Sequence, residues 1–261
     1  MYSRGSGLRR MKVCVFEREP AACDQIDPAE PELKEEVERL RKALSTLRSR
    51  KLERTPISNR EVGALGLLLR HQLSDVWMSR RPGAVREMRV GEFDQEYFHK
   101  YYRRACGEFQ EYSSFKSRCL HLASVATGQS VDSFRKSFVY LSADSDGTTV
   151  RFPAPDRVEA MIQELHRHLI GMMAQDPYRP VHALVGISGI HPFLDANGRC
   201  ARFWASVLAN IGGEVPVSIP FRAVAEASCG GFELRVREAE ISNRWLPVTQ
   251  MFTLVIEALE R

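Results

Sequence analysis

The stretch Ile190-His-Pro-Phe-Leu-Asp-Ala-Asn-Gly-Arg-Cys-Ala-Arg202 decides the reading of this chain. Within thirteen residues it gathers a histidine, a carboxylate, an asparagine, a glycine and two arginines. Arg199 and Arg202 stand three apart, so on a helix they share a face. Asn197-Gly198 falls where a loop turns into that helix, and free amides at a helix start favour an anion. Phe203, Trp204, Val207 and Leu208 follow as an apolar run that buries the helix's other side. Asp195 has the hard oxygen ligands that suit a Mg²⁺ shared with phosphates. His191, just before the turn, is placed to accept a proton from an attacking hydroxyl. The residues alone describe a phosphate-handling site.

Working outward, the flanking sequence is mostly helical in pattern. Upstream, helices are expected over about 181–189 and from Asp156, read as an N-cap, to about Met173. Before them, Phe134–Leu141 and Thr148–Phe152 are rich in β-branched and aromatic residues, and Asp144-Ser-Asp-Gly147 lies between. That pattern predicts one β-hairpin over about 134–152. Helices are also expected over 120–127, over 93–109, where the aromatic stripe reads as core, and from the capping-box pair Ser58/Glu61 towards Ser79. Downstream, Val248, Met251, Phe252, Val255 and Leu259 form a stripe that closes the core.

Residues 1–55 read as an extension, with a short strand over 11–16 and a Pro/Asp/Glu-rich connector. Leu33, Val37, Leu40, Leu44 and Leu47 then mark an amphipathic helix over about 32–54. Two heptads are too few for a coiled coil, so packing onto the main domain is expected in preference to dimerisation.

Composition excludes several classes. The chain has 261 residues, 44% hydrophobic and 27% charged, which is globular and neither disordered nor fibrous. A net charge of +4 without a dense basic run argues against a nucleic-acid partner. The six cysteines show no CxxC spacing and read as reduced thiols, with Cys200 buried. His166 and His168, two apart on a helix, make poor joint metal ligands. The N-terminus lacks an apolar signal core, and no uncharged apolar run reaches membrane-spanning length. The expected location is cytoplasmic, or a host cell reached through a dedicated secretion system.

The segment resembles the Fic signature H-x-F-x-[D/E]-[G/A]-N-[G/K]-R-x-x-R. His191, Phe193, Asp195, Ala196, Asn197, Gly198, Arg199 and Arg202 match every specified position. The upstream Phe134-Arg135, Val139 with Leu141, and Pro153-Ala-Pro155 resemble the family's flap, so the likeness runs over about 133–210. It implies a mainly α, Fic-type helical domain over 56–261 with a small β-hairpin flap. It implies a protein nucleotidyltransferase that moves AMP from ATP onto a Ser, Thr or Tyr hydroxyl of a target protein.

By that resemblance His191 is the catalytic base, Phe193 positions the loop, and Asp195 binds Mg²⁺. Asn197 and the backbone at Gly198 form the anion hole, while Arg199 and Arg202 hold the outer phosphates. Val139, Tyr140 and Leu141 belong to the flap strand, which pairs with an extended target segment. Ala196 replaces the commoner glycine, as in Doc kinases, but those carry lysine where Gly198 stands here. Transfer of UMP, GMP or phosphocholine, a Doc-like kinase, and a non-enzymatic Fic-like adaptor are the alternatives. Small GTPases and other nucleotide-binding proteins are the family's precedent for targets. An inhibitory glutamate pairing with the second arginine is sought at Glu257, in Thr253-x-x-x-Glu257, or at Glu53, in Ser49-x-x-x-Glu53. Otherwise a separate antitoxin-like chain supplies the inhibition.

Overall fold

A computed structural model describes residues 13–15, 31–49, 58–71, 92–140, 149–228 and 230–259. Helix α7 (Asn197–Asn210) is the axis of the molecule, and everything from Cys200 to Asn210 on it is buried. An amphipathic stripe cannot explain burial all round, so α7 must be wrapped. The wrapping comes from α6 (Tyr178–Ile190), α3 (Glu92–Glu108), α4 (Tyr112–Thr127) and α1 (Pro31–Arg48). Phe109, Phe115 and Trp204 meet at ring-centroid separations of 4.6–6.0 Å on this axis. A second layer holds α2 (Asn59–His71), α8 (Phe221–Ala227), α9 (Gly231–Ser242) and α10 (Leu246–Ala258). The apolar stripe of α10 is buried as its periodicity predicts. Helix α5 (Val158–Gly171) packs on α6 from the other side.

The leucine stripe of α1 resolves the choice between packing and dimerisation. Leu33, Leu40, Leu44 and Leu47 are all buried in the same core as α7 and α10. Each such side chain is worth about 1.5–3 kcal/mol when removed from water, so the helix belongs to the domain. It ends at Arg48, six residues earlier than the stripe suggested.

Other starts and stops also follow local chemistry. At α2 the capping box forms: Ser58 N–H donates to Glu61 Oε2 at 2.8 Å and Glu61 N–H to Ser58 Oγ at 3.3 Å. The continuation of that helix towards Ser79 lies outside the described residues. Helix α6 starts at Tyr178, ahead of the expected 181, because Pro180 in a first turn forfeits no hydrogen bond. Asp156 does not cap α5: it sits inside a 3₁₀ turn (Pro155–Arg157), and no side chain bonds at the helix cap. Gly66 of α2 lets that helix touch α8, since a Cβ there would lie 2.4 Å from the Ala227 Cβ.

The expected hairpin is reduced among the described residues. Strand β2 (Thr149–Arg151) meets the first arm through one antiparallel bridge, Tyr140–Arg151, and through Phe152 N–H donating to Val139 O at 3.1 Å. Among residues 134–140 of the first arm no strand is present beyond that bridge, and Arg135 at its start bonds to the signature loop. The short strand expected near the N-terminus, β1 (Val13–Val15), pairs in parallel with β2. Arg151 takes part in both pairings, so β2 lies between them.

Candidate active site

The signature loop is built by its own side chains. Asn197 Nδ2 donates to Phe193 O at 2.9 Å, and Phe193 N–H donates to Asn197 Oδ1 at 2.8 Å. The asparagine amide thus closes the loop 193–197 in the way a peptide unit would. The same residue lines the pocket at the helix start. Phe193 is buried and packs on Phe134 at 5.6 Å between ring centroids. Ala196 adopts a left-handed conformation, φ 73°, which explains why glycine suits that position.

Arg135 clamps the flap to this loop. Its Nε donates to His191 O at 2.7 Å, and Nη2 donates to Pro153 O at 2.6 Å. Its Nη1 donates to Ser137 O at 2.9 Å, and its backbone N–H to Pro192 O at 2.9 Å. One buried guanidinium therefore joins the flap's entry, its exit and the residue expected to act as base.

His191 ends α6 in a left-handed conformation with φ 53° and ψ 61°. Its ring stacks on Phe152 at 3.8 Å with an interplanar angle of 15°. Nδ1 faces Ser188 O at 3.3 Å. A carbonyl only accepts, so Nδ1 carries the hydrogen and Nε2 keeps its lone pair. Burial first, with help from Arg135 and Arg237, pulls the imidazole pKa down to about 4 against the opposing Ser188 bond and Asp195. The ring is neutral and ready to accept a proton at physiological pH.

The α7 start is uncapped by any side chain, and the first helical bond is from Cys200 N–H to Ala196 O. The amides of residues 197–199 therefore have no partner one turn back. Gly198 lets an arginine lie against them, because a Cβ there would stand 2.9 Å from Arg202 Nη1.

The two signature arginines already hold partners. Arg202 Nε donates to Asp94 Oδ2 at 2.6 Å and Nη2 to Asp94 Oδ1 at 3.4 Å, joining α7 to the start of α3. Arg199 donates to Ala126 O, lies 3.4 Å from Asp195 Oδ2 and sits over the Phe93 ring. Arg202 lines the pocket.

Asp195 is exposed at the loop tip, and its Oδ1 accepts from Ala196 N–H at 2.5 Å. No group of three or more His, Cys, Asp or Glu side chains among the described residues could cage a metal. One carboxylate beside an anion site fits Mg²⁺ arriving with its phosphates, since this ion keeps waters and takes few protein ligands.

His191, Asn197, Gly198 and Arg202 line one solvent-open cavity of about 250 Å³. Part of its wall comes from segments that the sequence pattern did not single out, with Arg222 and Ala225 on α8 and Phe232, Val236, Arg237 and Glu240 on α9. Glu257, sought as an inhibitory residue, is engaged elsewhere. That carboxylate takes a double hydrogen bond from Arg39 of α1, at 2.7 and 2.5 Å, because its place on α10 faces the leucine helix. Glu53 lies outside the described residues. Of the flap residues, Tyr140 is exposed, Val139 is half-buried, and Leu141 lies outside the described residues. Cys200 is buried as expected, and His166 and His168 turn to separate partners, Phe109 O and His182.

The sequence model of the Fic/DOC family matches residues 89–209. The crystal structure of a Fic family protein from Desulfovibrio desulfuricans G20 superposes with a TM-score of 0.54. It is 15% identical, and the match covers 88% of this chain and 73% of that one, a likeness of fold. A comparison with curated proteins gives no match. Among the described residues no helix is long and apolar enough to cross a membrane. The family points to an enzyme that transfers a nucleotide or a similar group. Over the matched segment, which runs from before α3 almost to the end of α7, this chain is similar to the Fic/DOC family.

Proposed function

We propose that the protein transfers AMP from ATP to a hydroxyl side chain of another protein. The observation that carries this reading is the neutral His191, whose Nε2 keeps its lone pair in the same cavity as the uncapped α7 start. In the reaction Nε2 takes the proton of a Ser, Thr or Tyr hydroxyl as its oxygen attacks the α-phosphorus. The bond from that phosphorus to the bridging oxygen breaks, and pyrophosphate leaves with the electron pair. The amides at residues 197–199 receive the charge that grows on the α-phosphate, a preorganised term that costs nothing at the moment of reaction. Arg202 holds the outer phosphates once Asp94 gives way or shares it. Mg²⁺, held by Asp195, would neutralise phosphate charge when bound. The exposed Phe138 and Tyr140 on the flap present the target-docking surface.

Gly198 favours this reading over phosphorylation, because a longer side chain there would displace Arg202. The test supplies Mg²⁺ and ATP labelled at either the α or the γ position to purified protein and a cell lysate. Retained α-label that disappears in His191→Ala supports AMP transfer. Retained γ-label alone makes the protein a kinase. Retention of neither label from ATP, with label retained from another nucleoside triphosphate or a phosphocholine donor, reassigns the donor.

A further inference from the structure

We propose that Phe152, the residue with which the flap ends, is the positioning residue for His191: its ring sets the plane of the imidazole and with it the direction of Nε2. The inference rests on the reading of His191 as the base and names what holds that base in place.

The imidazole has few other restraints. Nδ1 faces Ser188 O at 3.3 Å, a long bond that fixes one atom and leaves the ring free to swing about it. The terminal torsion of a histidine is broad, so no rotamer preference supplies the missing restraint. The Phe152 ring supplies it, 3.8 Å away between centroids and within 15° of parallel. A flat partner in van der Waals contact selects one plane, and the Ser188 bond then selects the orientation within it. Two free rings would choose an offset or edge-on arrangement, so this face-to-face contact is imposed by the backbones that carry them. The backbone of His191 points the same way. It ends α6 at φ 53°, which a non-glycine residue keeps only where its surroundings hold it.

Phe152 is itself fixed on both sides. It is buried, and its N–H donates to Val139 O at 3.1 Å across the flap. The next residue, Pro153, accepts at 2.6 Å from Arg135 Nη2, and Nε of the same guanidinium donates to His191 O at 2.7 Å. Both members of the stack therefore hang on one buried arginine, and the contacts close into a circuit from Arg135 through Pro153 and Phe152 to His191 and back. The base is set by the flap as well as by the signature that carries it. The same ring shields one face of the imidazole from water, in line with a pKa that burial first of all depresses to about 4. Arg135 in the flap and Arg237 on α9 face the imidazole as cations, and Asp195 faces it as an anion. Arg202 on α7, Arg222 on α8 and Glu233 and Glu240 on α9 line the same cavity.

The experiment compares wild type, Phe152→Tyr, Phe152→Leu and Phe152→Ala in the full chain, with matched circular dichroism spectra. Histidine NMR reads His191 without any donor, because protons beneath an aromatic face resonate upfield. Transfer is read as α-label retained from ATP and Mg²⁺ on proteins of a cell lysate. Phe152→Tyr keeps a flat ring and should keep both the upfield shifts and the rate. Phe152→Leu keeps the bulk and loses the plane. Its upfield shifts should vanish and transfer fall by about 10²-fold, the scale of a reacting group misplaced by about an ångström, while the imidazole pKa stays low. Phe152→Ala also admits water, so the pKa should rise from about 4 towards 6.5 and the acid limb of the rate profile should move up with it. If Phe152→Ala does not fold, the contrast between Tyr and Leu at this position decides. Equal loss of transfer in the Tyr and Leu variants overturns the proposal, as does a folded Phe152→Ala with wild-type ring shifts and pH profile. A wild type that retains label from no nucleotide overturns the transfer reading, while the ring shifts and pKa still decide whether Phe152 holds the imidazole.

Discussion

The two ends of α7 are treated in opposite ways. At the C-terminal end the carbonyls are satisfied from outside: Arg48 Nε donates to Ala209 O at 2.9 Å and Tyr102 Oη to Asn210 O at 2.7 Å. Asn210 also ties its side chain to Ser206 O and to the backbone of Val217. At the N-terminal end no side chain caps the helix, and the cavity opens onto it. A helix leaves four amides and four carbonyls without internal partners, so each end needs some answer. One end is closed by the chain itself with a cation that suits the helix dipole. The other is left uncapped, which is what the proposed anion site requires, and its neighbouring guanidinium is parked on Asp94. The contrast separates residues that hold the fold from residues that await a ligand.

The sharpest break of this contrast is His191→Ala. It should lower transfer by about 10²–10⁴-fold, the usual worth of a general base, while nucleotide affinity measured by calorimetry stays within about twofold. The pH profile sharpens the same point. With its pKa depressed to about 4, the ring remains neutral until the medium becomes strongly acid. Its own protonation should therefore leave the rate level from pH 8 down to about 5 and reduce it only as pH approaches 4. Stability follows the same sign. The unfolded chain takes up this proton near pH 6.5 and the folded one does not, so the contribution is full above 6.5 and lost as pH falls towards 4. Histidine NMR titration reads the value directly.

Asp94→Asn tests the parked arginine. Freed from its carboxylate, Arg202 should bind the outer phosphates about tenfold more tightly, the scale of one charge-assisted hydrogen bond. AMP, which lacks those phosphates, should show no gain. At the closed end Arg48→Met should cost about 1–3 kcal/mol in denaturant unfolding, because buried carbonyls lose their donor. Nucleotide affinity should not move. The smallest effect belongs to Ala196→Gly. Relief of the left-handed strain, about 1 kcal/mol, nearly cancels the loss of one buried methyl, about 0.8 kcal/mol. The melting temperature should scarcely change.

What was legible in the sequence follows from how far apart the cooperating residues lie. His191 to Arg202 is one contiguous turn and helix start, so spacing alone brought its parts together. The leucine stripe of α1 and the capping box of α2 were readable for the same reason. Asp94 was not, because an acid in the first turn of α3 reads as an ordinary match to the helix dipole. Arg237 and Glu240 were not, since a pair three apart on a helix looks like a surface ion pair. Only the packing of α9 against α6 turns them into the cavity. Glu257 shows the converse: its local spacing suited an inhibitor, but the register of α10 delivers it to Arg39. The loop-closing bonds of Asn197 were not legible, because a side chain that mimics a peptide unit leaves no periodic trace.

The most direct test of the open-end account is an amide NMR titration of the protein with Mg²⁺ and ATP. The account predicts large shifts at the amides of Asn197, Gly198 and Arg199, with those of residues 208–210 unmoved. Shifts confined to other surfaces, or none at the α7 start while ATP binds, would contradict it.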